Sequence, residues 1–337
     1  MTSFRVRAAT VLPVVLLAGC AGWQSALDPK GRGADELARL FWFFTGICGV
    51  IWVLVLLVLA VAVWRRRAGV SDPLDLDASR ESRMTGVVGG AVAVSAVILV
   101  GLTLLSFFAN RTLADIGKDS QLTIRVTGHQ WWWEVRYEYP EPDRVFTTAN
   151  EIHIPAGQPV RLILASTDVI HSFWVPSLSG KLDLIPGREN LLDIEAHAPG
   201  VYRGQCAEFC GEQHANMAVL VKADTRRDFD AWVDAQIKPA PEPSADEPRL
   251  GHDMFLSSSC VMCHRIRGTL AGGSVAPDLT HLASRSTIAA GTLPLSRGNL
   301  AAWIIDPQGI KPGAHMPVTE LKPVELNAIV AYLETLK

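Results

Sequence analysis

Two stretches near the N-terminus carry no charged residue, residues 41–64 and residues 84–109. Each exceeds the roughly 20 apolar residues with which a helix crosses the hydrocarbon core of a bilayer. One arginine at the centre of such a helix costs about 2.5–3.5 kcal/mol on insertion scales, so the absence of any predicts a transmembrane hairpin over residues 38–118. Beyond Gly117 the apolar period changes to two. Leu122, Ile124 and Val126 alternate with Gln121, Thr123 and Arg125, and Val135, Tyr137 and Tyr139 alternate with Arg136 and Glu138. Later runs over 151–154 and 160–164 are broken by Pro155, Gly157 and Pro159. Short strands with frequent turn residues predict an all-β Greek-key sandwich or barrel over residues 119–237, ending in a short helix near 225–237. Toward the C-terminus the period becomes helical. Leu326, Ile329, Val330 and Leu333 mark a helix over 322–336, and Gly251 and Phe255 suit a second helix, so residues 249–337 read as a small all-α domain. Between the two domains, residues 238–248 hold Pro239, Pro241, Pro243 and Pro248. That composition predicts an extended spacer of about 3.1 Å per residue, reaching roughly 30 Å.

Charge sets the orientation of the hairpin. Arg65, Arg66, Arg67, Arg80 and Arg83 lie in or beside its connection, which the positive-inside rule places in the cytoplasm, with both later domains outside. Residues 1–20 agree: Arg5 and Arg7 precede an apolar run too short to span, the pattern of a signal peptide. Leu17-Ala18-Gly19-Cys20 resembles a bacterial lipobox, which would make Cys20 a lipidated first residue. The expected location is the bacterial inner membrane, two-pass, with both C-terminal domains on the periplasmic side. Trp42 and Trp64 fit interfacial anchors. A composition of 49% hydrophobic and 19% charged residues in 337 fits this organisation, and a net charge of −3 offers no footprint for nucleic acid.

The six cysteines carry the chemistry. Cys48 lies within the first span, where an inert buried thiol is expected. Cys206 and Cys210 are followed by His214 and Met217, and a distant His171 sits in Asp168-Val169-Ile170-His171-Ser172-Phe173-Trp174. Two thiols, imidazoles and a thioether form a soft set suited to copper. A structural zinc and a Cys206–Cys210 disulfide are the alternatives; the methionine favours copper, since a thioether adds little at zinc. A mononuclear copper site needs one cysteine, so either one of this pair is spare or two metals share both. Cys260-Val261-Met262-Cys263-His264 is the C-x-x-C-H pattern of covalent c-type haem attachment. Met316 is the expected sixth haem ligand, with His315 as its competitor, because His/Met ligation is usual in electron transfer. Both sets exchange single electrons.

The stretches Gly128-His129-Gln130-Trp131-Trp132-Trp133, His171-Ser172-Phe173-Trp174-Val175-Pro176, Ile185-Pro186-Gly187-Arg188 and Gly204-Gln205-Cys206-Ala207-Glu208-Phe209-Cys210-Gly211 resemble subunit II of haem–copper cytochrome c oxidase. The resemblance covers both spans and the β domain to about residue 237. Residues 249–337 resemble a class I cytochrome c, and the pair matches the caa-type fusion. The resemblance implies a cupredoxin fold holding a dinuclear CuA centre. Cys206 and Cys210 would bridge the coppers, His171 and His214 would be terminal ligands, and Met217 and the carbonyl of Glu208 would be axial. The Glu208 side chain would reach a magnesium ion shared with subunit I, with Asp183 near that interface. Trp131 would be the surface tryptophan where an electron arrives from cytochrome c. In the last domain Cys260 and Cys263 would bind haem c covalently, with His264 as proximal ligand held by the carbonyl of Pro277. The implied partners are subunit I, subunit III and an external donor, either a cytochrome c or the upstream respiratory complex. Oxygen reduction to water and proton pumping would occur in subunit I, so the chain is an enzyme only within the complex. Rival readings fit less well. One is the CuA-bearing part of a nitrous oxide or nitric oxide reductase; the former needs a soluble, histidine-rich catalytic domain, and nine histidines occur here. A quinol-oxidase subunit II lacks these copper ligands, and a free-standing membrane carrier leaves Glu208 without a purpose.

Overall fold

The computed structural model describes residues 22–65 and 78–337. The segment expected to be a signal peptide ending in a lipobox at Cys20, and Arg66 and Arg67, lie outside the described residues.

One unit, residues 36–115, holds the apolar helix α1 (Arg32–Arg65) from its fifth residue onward and the whole of α2 (Ala78–Asp115). Both are long and apolar enough to cross a membrane, and their apolar stretches expose their side chains. The charge-free stretches are the middles of longer helices. At 1.5 Å per residue the 34 residues of α1 run about 50 Å, well beyond a hydrocarbon core of about 30 Å. Their charged ends, among them Glu36, Arg39 and Arg65 in α1 and Arg80, Arg83 and Arg111 in α2, fall outside those middles. Thr103, Asn110 and Thr112 bond carbonyls four residues back, so these three polar side chains of α2 are satisfied within the helix.

The second unit contains both remaining domains. The β domain is built from two five-stranded sheets. The first has the order β3-β2-β1-β5-β8, with β1 Leu122–His129, β2 Trp132–Glu138, β3 Phe146–Ala149, β5 Val160–Ser166 and β8 Asn190–Ile194. The second has the order β4-β10-β9-β6-β7, with β4 Glu151–Pro155, β6 His171–Trp174, β7 Leu182–Leu184, β9 Gly200–Cys206 and β10 Ala218–Asp224. The alternation in the sequence becomes the two faces of β1. Leu122, Ile124 and Val126 point inward, while Arg125 pairs with Glu138 and Glu189 outside. Two pairings are parallel, β1 with β5 and β4 with β10. Both sheets feed one core around Trp133, Tyr137, Phe173, Leu162 and Val219. Helix α3 (Arg226–Gln236) follows, its N-terminus capped by Thr225 accepting from the Asp228 amide, with Phe229 and Val233 turned into that core.

The last domain comprises α4 (Asp246–Ser257), α5 (Cys260–Cys263), α6 (Arg297–Ile305), α7 (Pro307–Ile310) and α8 (Pro323–Leu333), with a two-stranded β11–β12 ribbon (Thr287–Ile288, Leu293–Pro294). Helix α4 meets α8 at Gly251, where a Cβ would stand 1.8 Å from the Ala328 carbonyl oxygen. The Lys322 amide donates to Glu325 at 2.8 Å and starts α8, which buries residues 328–333. The spacer lacks regular structure over 239–244 but is fastened to this domain. The Ala240 amide donates to Arg267 O (2.9 Å), the His281 ring bonds Lys238 O (3.1 Å), and Arg267 donates to Gln236 O and Ile237 O.

Candidate metal centre and haem motif

The metal-ligand cluster forms where β6 and β9 end side by side. Phe173 is paired with Cys206, which sets His171 and Cys206 at one end of the second sheet. The following loop returns through a 3-10 turn at His214–Asn216, and the Cys206 amide closes it by donating to Met217 O at 2.9 Å. The sulfurs of Cys206 and Cys210 lie 3.7 Å apart. His171 Nδ1 is 3.9 Å from Cys206 Sγ, and His214 Nδ1 is 3.6 Å from Cys210 Sγ. Met217 Sδ approaches Cys210 Sγ at 3.9 Å, and the Glu208 carbonyl oxygen approaches Cys206 Sγ at 3.2 Å. All six residues named by the sequence therefore converge. His171, Cys206, Cys210 and Met217 are buried, and His214 is half-buried at the edge.

The shell around these side chains fixes them. Asp168 Oδ1 lies 2.8 Å from His171 Nε2, which turns Nδ1 toward the sulfurs. The same carboxylate accepts from the amides of Gln130 (2.7 Å) and Val169 (2.6 Å). Gly128 leaves room for the imidazole, since a Cβ there would stand 2.7 Å from the His171 ring. Hydrogen bonding from the Cys210 thiol, with help from His171, holds the Cys206 thiol far below its ordinary range, while Cys206 and burial push Cys210 up. Metal binding to such a pair would require both thiols to be deprotonated. Both cysteines are free, so the disulfide alternative is not formed. Two thiolates, two imidazole nitrogens, a thioether and a carbonyl oxygen around one sulfur pair fit copper, and exceed what a four-coordinate zinc uses.

Trp131 borders this cluster. Its Nε1 donates to Cys210 O at 3.0 Å, and Gln130 Nε2 donates to the same oxygen at 2.7 Å. Expected at the surface, Trp131 is only 8% exposed, because residues 311–315 of the last domain cover it. Trp133 is fully buried in the β core, whereas Trp132 stacks on His129 at 4.4 Å. Glu208 and Asp183 keep partly exposed carboxylates on either side of Lys181, at 3.6 and 3.9 Å. The remaining histidines of the β domain are structural: His153 pairs with Asp224 (2.6 Å) and His197 with Asp35 (2.6 Å).

In the last domain, Cys260 and Cys263 occupy the short helix α5, and His264 follows it directly. His264 Nδ1 donates to Pro277 O at 2.8 Å, leaving Nε2 to face a metal, and burial keeps the imidazole neutral by lowering its pKa. Gly273 passes so close that a Cβ would stand 2.4 Å from the Cys263 carbonyl carbon. Met316 packs against the domain core, while the exposed His315 ring turns to Trp131, 6.1 Å between centroids. These residues fit a covalently held c-type haem.

Comparison with known proteins identifies the families of both domains. The family model described as cytochrome c oxidase subunit II, periplasmic domain, matches residues 142–224, and the cytochrome c model matches residues 249–337. Cytochrome c oxidase subunit 2 of Alkalihalophilus pseudofirmus is 34% identical over 335 residues, covering 96% of this chain and 94% of that protein. The chain belongs to the cytochrome c oxidase subunit 2 family. The Bacillus subtilis subunit 2 is 29% identical, with 96% of this chain and 95% of that protein covered. The periplasmic domain of the Bradyrhizobium japonicum subunit II is 32% identical, covering 35% of this chain and 94% of that one, with a TM-score of 0.33. As a subunit 2 with a cytochrome c domain, the chain is part of an oxidase complex that includes subunit I and associates with a membrane. Its two family domains imply copper and haem c as cofactors.

Three residues of this subunit 2 chain escaped the sequence reading. Asp168 lies in a motif already singled out, three positions before His171, and that spacing was the available signal. Glu151 and Lys311 are buried where the two domains meet, and nothing in their sequence surroundings marks them.

Proposed function

We propose that the chain accepts electrons through its cytochrome c domain and relays them through a dinuclear CuA centre to subunit I. The convergence of His171, Cys206, Cys210, His214, Met217 and the Glu208 carbonyl around two sulfurs 3.7 Å apart carries this reading. When bound, haem and copper supply one-electron redox chemistry that feeds oxygen reduction to water and proton pumping in the partner. The protein's part is to hold its groups still. Cys206, Cys210, His171, His214, Met217 and the Glu208 carbonyl would together hold the copper pair. Asp168 holds the His171 ring, the end of β9 holds Cys206 and the loop after it holds Cys210, so the site is built to change little between oxidation states. Trp131, bonded to the Cys210 carbonyl and covered by the haem-domain loop, is the connecting side chain between the two domains.

In the last domain Cys260, Cys263, His264 and Met316 would hold the haem, with the His264 ring oriented by Pro277. Met316 is favoured over His315 because it packs inward while His315 turns to Trp131. The Glu208 carboxylate beside Asp183 would meet a magnesium ion at the subunit I interface. The hairpin would sit in a bacterial inner membrane with both cofactor domains periplasmic, served by an external cytochrome c or an upstream complex, and with subunit III alongside.

Purified protein should contain one covalent haem and two coppers per chain, measured by pyridine haemochrome, copper quantitation and electron paramagnetic resonance. A copper-to-haem ratio near one, with a mononuclear spectrum, would overturn the dinuclear assignment. Cys206→Ser should remove the copper signal and keep the haem, whereas Cys260→Ala should leave a single-thioether haem and an intact copper signal.

A further inference from the structure

The boundary between the copper and haem domains contains buried charge. Lys311 is 2% exposed, and its ammonium donates to the carbonyls of Trp131 (2.8 Å) and Asn216 (2.6 Å) in the copper domain and Ala289 (3.0 Å) in the haem domain. An ammonium has three donors and no acceptor, so these bonds use it fully. Burial lowers its pKa to about 7, against the attraction of Cys210. Glu151, also 2% exposed, reaches the opposite way. Its Oε1 accepts from the amides of Ser286 (2.5 Å) and Thr287 (3.1 Å) in the haem domain, and its Oε2 pairs with Lys222 at 2.6 Å. Further bonds cross the same boundary: the neutral pairs Gln213 Nε2 to Pro312 O (2.8 Å) and the Ala218 amide to Ala290 O (2.9 Å), and the charged Arg285 guanidinium to Thr148 Oγ1 (3.3 Å).

Buried charges of this kind are a weak source of affinity, because their dehydration offsets their attraction. They are a strict source of register. A dock shifted by one residue takes from the dry Lys311 ammonium its two copper-domain carbonyls and from Glu151 Oε1 its two amide donors. Transient encounters keep charge at a wet rim instead. This register lays residues 311–316, which carry Met316, along the side of the copper domain that holds Trp131, Gln213 and Asn216.

We propose that Lys311 and Glu151 are positioning residues that seat the haem domain in one register over Trp131, making it a fixed donor and closing Trp131 to soluble carriers. The proposal rests on the electron-relay reading given above. Seating replaces the tethered search that a free spacer would allow: residues 238–240 are pinned too, so the spacer adds little freedom while the dock holds.

Lys311→Met and Glu151→Gln in the full oxidase test this. Hydrogen exchange at the amides of Ala218, Ser286 and Thr287, read also on copper-free protein, should lose protection in both variants, most in Lys311→Met. Flash-initiated haem-to-copper electron transfer should slow by about tenfold or more, since small misplacements carry such penalties. Haem potential, copper spectrum and metal content should stay at wild-type values, which separates misplacement from a damaged site. Wild-type exchange, or lost protection with an unchanged transfer rate, in both variants would overturn the proposal. Glu151→Gln keeps the side-chain volume and one acceptor, so it decides the matter if Lys311→Met fails to fold. Wild-type protein without two coppers would defeat the relay reading itself, while the exchange data would still report on the register.

Discussion

Asp168 shows how much of the copper site depends on a residue that binds no metal. One carboxylate orients the His171 ring and also holds the Gln130 amide, so it fixes a ligand and the segment leading to Trp131 together. Asp168→Asn should weaken copper binding by about 10–100-fold, measured by competition with a chelator, and leave haem content unchanged. Glu134 presents the opposite case. Burial raises its pKa, against the pull of Arg136 and Arg265. An acid raised on folding binds more protons folded than unfolded between its two pKa values, so its ionised form costs stability at neutral pH. Glu134→Gln should therefore raise the melting temperature at pH 7, and the gain should fade as pH falls and vanish below about 4.5, the unshifted value. Thermal scans at pH 7 and pH 4 check both limbs. At this scale the ligands were legible because few residue types bind copper or haem iron. Asp168, Glu151 and Lys311 were not, since carboxylates and ammonium groups are ordinary on surfaces, and only three-dimensional packing buries them.

Elements follow local pattern where their partners are local. The alternation of Leu122, Ile124 and Val126 was readable, and so was the capped helix after Thr225. The parallel pairings of β1 with β5 and of β4 with β10 were not, because no short turn links such strands and nothing local encodes their register. The apolar helices were placed by their charge-free middles, yet their ends run on, since a helix needs backbone bonds rather than an apolar environment to continue. The crossing of α4 and α8 depends on one missing methyl group. Gly251→Ala would drive a Cβ into the Ala328 carbonyl, so it should destabilise the haem domain by about 2–3 kcal/mol. Denaturant titration followed by haem absorbance measures the loss, and the copper spectrum should not change with it.

For the whole molecule, the order of hairpin, β domain, proline-rich spacer and helical domain could be read from composition and period. How the last two domains meet could not, because a spacer's composition reports its reach and not the surfaces it brings together. If the dock holds as described, the covalent link between the two domains is dispensable once they have folded. Cleavage at a protease site inserted at residues 241–244 should leave the halves eluting together in size-exclusion chromatography at moderate salt, and separate elution would contradict the seated arrangement. Burial of Trp131 and Glu151 also bears on how such a gene could change. The segment that looks like the natural place to divide it is not one. Truncation there would bare an indole and strand a carboxylate whose amide donors had left with the other half. A lineage that separated the two domains, or an engineer who did so, could keep Trp131 as an open entry point but would have to rewrite position 151 in the half that stayed behind.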